Sequence, residues 1–147
     1  MDESPYSFFA EPIEIRYDFE SVSDTKLVKK VVRLTETNLP AVFNLALLDL
    51  LDDGSESDLS VTNNDDLRTV LATVMRIIDN FLTKFPQKIV TFRGSDERRT
   101  RLYRIVIGRE LDAIQQRFQV FGEFDDGRLE IFQPNADYRR FLILLKQ

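Results

Sequence analysis

The chain has 147 residues, 43% hydrophobic and 31% charged, with a formal net charge of −5. That is the length of one ordinary domain with a single core, and the balance is globular rather than disordered. Histidine, cysteine and tryptophan are all absent, which excludes disulfides, thiolate chemistry, Ser-His-Asp and Cys-His catalysis, and a zinc site of ordinary ligand type.

The opening run MDESPYSFFAEP is acidic and lacks the basic region and long apolar core of a secretory signal. No apolar run approaches the ~20 residues that a membrane span needs. We therefore expect a cytoplasmic protein without a membrane association. Residues 1–12 are expected to form a mobile N-terminal segment, and residues 13–147 a single domain. Tyr6, Phe8 and Phe9 in that segment read first as packing over the first strand or staying mobile, and second as a docking segment.

Ile13 to Phe19 alternates apolar Ile13, Ile15, Tyr17 and Phe19 with charged Glu14, Arg16 and Asp18. Period two predicts a strand with one buried and one wet face. After the turn SVSD, Lys26 to Thr35 predicts a second strand, with Val28, Val32 and Leu34 on one face and Leu27 and Val31 on the other. Pro40 interrupts, Val42 to Leu50 is a third strand, DDGSES a hairpin loop, and Leu59 to Thr62 a short fourth strand.

The period then changes. Leu67, Val70, Leu71, Val74, Ile77, Ile78, Phe81, Leu82 and Phe85 recur at spacings of three and four, the mark of an amphipathic helix. Asn64 suits its N-cap, Asp65 and Asp66 its first turn, and Pro86 its end. Lys88 to Phe92 is a fifth strand. A second helix, capped by Ser95, runs to about Phe118 on a stripe of Tyr103, Val106, Ile107, Leu111, Ile114 and Phe118. VFGEF and RLEIF flank DDG as another hairpin, and Phe141 to Leu145 is a last apolar strand. The order ββββαβαβββ implies an α+β fold: a mostly antiparallel sheet of about seven or eight strands carrying two long helices.

The stretch TFRGSDERRTRLYR, residues 91–104, holds five arginines and two acids in an otherwise acidic chain. At about 100° per residue, Arg98, Arg101 and Arg104 form a sloping ridge opposite the Tyr103, Ile107 and Leu111 stripe. With Arg93, Ser95, Arg99 and Tyr103 they make the candidate anion- or partner-binding set, since guanidinium forks and free helix N–H groups both suit carboxylate or phosphate. The bland reading is a solvated helix face paired with the protein's own acids. Asp96 and Glu97 support it, because they already complement the helix dipole and would repel a phosphate. Local segregation of charge fits an acidic protein surface or self-association. Nucleic acid is less favoured, because a nucleic-acid footprint calls for a basic surface overall.

Other motifs carry less. Placing Gly54 at position 6 of an EF-hand loop puts Asp49 and Asp53 at 1 and 5 but Leu51 at 3 and Ser60 at 12, so DLLDDGSESD reads as a hairpin loop. VTNNDD reads as a turn and helix cap. Twenty-five acidic residues guarantee accidental carboxylate pairs. No nucleophile elbow, Walker A loop, Rossmann glycine pattern or zincin helix occurs. The residues call for no metal and no cofactor.

The run VTNNDDLRTVLATVMRIIDNFL followed by FRGSDERRTRLYRIVI, with FNLALLDLL and a late FQVFG, resembles a small family of uncharacterised bacterial proteins. The resemblance covers the chain from about Ile15 to its end. It implies a single domain and singles out Ser95, Arg99, Arg101, Tyr103 and Arg104, without implying an activity. The sequence as a whole favours a non-enzymatic interaction module with an arginine-bearing helix. A phosphate or nucleic-acid binder of a toxin–antitoxin or phage-defence type ranks second. A histidine-free phosphoryl-transfer enzyme using magnesium ranks last, because no loop resembles a nucleotide cradle.

Overall fold

A computed structural model describes residues 14–22, 26–58 and 64–147, with the backbone alone for residues 64 and 65. The elements are β1 (Glu14–Val22), β2 (Leu27–Glu36), β3 (Val42–Leu50), β4 (Glu56–Ser57), α1 (Asn64–Lys84), β5 (Ile89–Phe92), α2 (Glu97–Arg109), α3 (Leu111–Ile114), β6 (Phe118–Glu123), β7 (Leu129–Ile131) and β8 (Arg140–Leu145). They form the expected α+β arrangement around an eight-stranded sheet of order β1-β2-β3-β5-β8-β6-β7, with β4 on β3. Every pairing is antiparallel except β3 with β5.

That exception follows from the connection. β3 and β5 are separated by the long α1, and parallel neighbours need such a crossover. The parallel ladder is short, Val42–Asn44 against Ile89–Thr91. β3 therefore continues past the end of β5, and a gap opens in the plane of the sheet.

The period-two pattern sorts the strands as expected. Val32 and Leu34 of β2, Phe43 and Leu45 of β3, Val90 and Phe92 of β5, Phe141 and Ile143 of β8, and Phe118 and Val120 of β6 share one buried face. The α1 stripe from Leu67 to Leu82 packs on that face with Tyr103 and Ile107 of α2 and Ile114 of α3. Phe43 meets Phe81 at 4.9 Å between ring centroids, and Phe92 meets Phe141 at 5.5 Å. The first of these tilted pairs ties α1 to β3, and the second joins β5 to β8 within the sheet.

Three local expectations are corrected. Glu56–Ser57, inside the predicted hairpin loop, is a short strand; the strand expected at Leu59 to Thr62 lies outside the described residues, as do the first residues through Ile13. The second helix stops at Arg109, and α3 follows as a separate short turn. Glu110 leaves helical geometry there, held by the guanidinium of Arg68 from α1 at 2.8 Å. Phe118, expected at the helix end, instead opens β6 opposite Leu145 of β8.

The strand pattern also conceals a charge. Lys30 shares the buried face with Val32, and its Nζ donates to Asp49 Oδ1 across the β2–β3 ladder at 2.6 Å. The Lys30 side chain is 3% exposed and that of Asp49 11%. Removing one partner of such a pair leaves an uncompensated buried charge, whereas replacing both with apolar groups is often neutral. Lys30→Met is expected to cost about 3–5 kcal/mol in chemical denaturation. The double variant Lys30→Met/Asp49→Leu should recover most of that loss.

Candidate functional site

The turn between β5 and α2 is built by close approach of backbone to backbone. Gly94 N–H donates to Thr100 Oγ1 at 3.0 Å, and Thr100 Oγ1 donates to the Asp96 carbonyl at 3.0 Å. A Cβ on Gly94 would stand 2.5 Å from the Thr100 nitrogen, so only glycine fits this position. Asp96, not Ser95, is the N-cap: its Oδ1 accepts from Arg99 N at 2.8 Å. Asp competes with Ser for this position, and the extended backbone at Asp96 selects it. Ser95 Oγ instead accepts from Arg99 Nη1 at 3.0 Å, and Asp96 Oδ2 accepts from the same nitrogen at 2.6 Å.

The predicted arginine ridge divides. Arg98 and Arg101 are exposed, as expected of a ridge. Arg104 turns inward, with a side chain only 16% exposed, because α2 is covered on that side by the loop at 133–138. Its Nη1 donates to the Ala136 carbonyl at 3.0 Å and lies 3.8 Å from Asp137, and its Nε is buried without a partner. Gly108, one turn on, faces Pro134 of the same loop. Arg104 thus fastens α2 to the chain before β8. Tyr103 is buried in the core beneath the turn, and burial raises its pKa.

Two hollows flank the turn, and residues 93–95 line both. The first, about 340 Å³, occupies the gap between β3 and the end of β5. Asn44, Arg93, Ser95, Arg99 and Arg140 line it together with Leu47, Leu102, Tyr103 and Asp58. The second, about 700 Å³, sets Arg93, Arg98, Arg101 and Arg139 among Asp96, Glu97, Asp125 and Asp137. Tyr138 lines it too, its ring pressed so close to Gly122 that a Cβ there would stand 2.3 Å from it. The Tyr138 hydroxyl donates to Glu130 at 2.5 Å, and burial, then that bond, pushes its pKa up to about 12. Arg101 and Tyr103 open on different hollows, so Arg93, Arg101, Tyr103 and two carboxylates do not converge on one cleft. Among the described residues no cluster of acidic side chains could hold a metal ion.

Arg140 was missed by sequence reasoning. It sits on the face opposite the helices, and its Nη1 donates to Asn44 Oδ1 and Thr91 Oγ1, each at 3.2 Å. Asn44 and Thr91 are themselves partners in the parallel ladder. The available signal was the Arg139-Arg140 doublet opening the run FLILL, since adjacent strand residues must face opposite sides.

The architecture defines an α+β sheet protein with a cation-rich turn at the end of the β3–β5 parallel ladder. The chain belongs to a family of unknown function, DUF6934, whose family model matches residues 2–146. No curated protein and no solved structure was found to match it. No helix among the described residues is long and apolar enough to cross a membrane.

Gly94→Ala tests the geometry of the turn. The added Cβ must push Thr100 away, so we expect a loss of about 1–3 kcal/mol in denaturant unfolding, the usual range for overpacking.

Proposed function

We propose that this chain is a non-enzymatic interaction module that recognises an acidic protein surface with the N-terminal end of α2. One observation carries the reading. After internal pairing is accounted for, Arg93, Arg98 and Arg101 remain exposed without an ion pair or hydrogen bond among the described residues, all around one turn. Arg99 is spent on Asp96 and Arg104 on Ala136.

The mixed charge of the larger hollow favours a protein over a nucleic acid. Asp96, Glu97, Asp125 and Asp137 interleave with the arginines and would repel a continuous phosphate backbone, whereas alternating signs give a protein interface its register and selectivity. The partner is expected to place carboxylates against Arg98 and Arg101, which are free to form bidentate pairs. A second copy of this acidic chain is one such partner. The cytoplasm is the compartment we propose for the complex.

Arg98→Glu combined with Arg101→Glu should abolish complex formation in native mass spectrometry of protein purified gently from its own cells. Both side chains are exposed, so thermal unfolding should stay within the small range of surface substitutions. A complex that survives the double substitution contradicts the reading.

A further inference from the structure

We infer that the cavity between β3 and the β5–α2 turn is a binding site for a small organic anion, its oxyanion head held by Arg140 and Arg93. Of the three exposed arginines of the partner surface above only Arg93 lines this cavity; Arg98 and Arg101, which the test of that surface substitutes, do not.

The first argument is charge. Continuing the β5–β8 register by one residue beyond Phe92↔Phe141 sets Arg93 opposite Arg140, and like charges directly across a ladder are unfavourable. Arg140 is only partly exposed, yet no carboxylate lies within ion-pair distance of it among the described residues. Glu123, its partner in the β6–β8 register, gives its carboxylate to Arg139 at 3.0 Å instead. Burial first, then Arg93, act to lower the Arg140 pKa. A half-buried guanidinium satisfied, among the described residues, by two neutral oxygens at 3.2 Å retains donors for a bidentate oxyanion.

The second argument is shape. The cavity is of a size that holds small organic ligands, and Leu47 and Leu102 line it beyond the arginines. An inorganic ion would leave that apolar wall uncovered; an acid head on a short apolar body would cover it. Asn44 and Leu48 both line the cavity, four strand residues and about 13 Å apart, so the cavity runs along the β3 edge.

The rival role for Arg140 is a clamp across Asn44 and Thr91, and the two roles predict opposite behaviour. The test is thermal unfolding at constant ionic strength with hexanoate, hexyl phosphate or inorganic phosphate replacing chloride. The wild-type chain should show a saturable rise in Tm with hexanoate or hexyl phosphate, and whichever acts at lower concentration identifies the head group. Arg140→Met should unfold close to the wild-type temperature without ligand and lose the response. Arg93→Gln, which breaks no bond of the fold, should weaken the response roughly tenfold or more, as loss of a charged hydrogen bond does. The proposal is overturned if neither organic probe raises Tm more than inorganic phosphate does, if Arg93→Gln responds like the wild type, or if Arg140→Met melts far below it.

Discussion

Two antiparallel half-sheets are joined by three residues of parallel ladder, Val42–Asn44 against Ile89–Thr91. On one side lie β1, β2 and β3; on the other lie β5, β8, β6 and β7. So short a ladder needs support from outside itself. The α1 stripe supplies it on one face, with Phe81 against Phe43. On the other face Arg140 donates to Asn44 and Thr91, each at 3.2 Å. The same shortness places the candidate site: β5 ends after Phe92 while β3 runs on to Leu50, and the gap so formed is where the β5–α2 turn brings its arginines. In sheets with parallel strands, crevices beyond the carboxyl ends of those strands are where ligands bind.

The turn itself is rigid rather than adaptable. Gly94, Thr100 and Asp96 form a closed set of hydrogen bonds, and Arg99 is folded back onto Asp96 and Ser95. Arg104 locks the next turn of α2 to the loop before β8. A pre-organised frame of this kind lowers the ordering cost that association must otherwise meet. It leaves Arg93, Arg98 and Arg101 presented outward from a fixed base.

Much of the fold was legible because side-chain period follows backbone geometry. Ile15, Tyr17 and Phe19 alternate as a half-buried strand must, and the spacing from Leu67 to Leu82 is that of one helix face. What could not be read depends on distant residues. β4 is two residues long and has no period of its own. α2 ends beside Glu110, which pairs with Arg68, 42 positions earlier in the chain, and Phe118 is taken into β6 opposite β8. Lys30 falls on the apolar face of Val28, Val32 and Leu34 by period two, and the partner that lets it sit there, Asp49, is supplied by the neighbouring strand. In the site, the arginine-rich stretch was visible, but the division between Arg98 and Arg101 outside and Arg104 inside required the loop at 133–138. Arg140 came into the site only through the sheet order, which joins β8 to β5 across 47 intervening residues.

Charge left unmatched at the end of the parallel ladder is the central feature of this account. The most direct measurement follows the arginine side-chain Nε–H signals by NMR while hexyl phosphate is added. The account predicts saturable shifts at Arg140 and Arg93, with Arg33 and Arg104, which do not line the cavity, unmoved. Shifts spread evenly over the exposed arginines, or a silent Arg140, would contradict it.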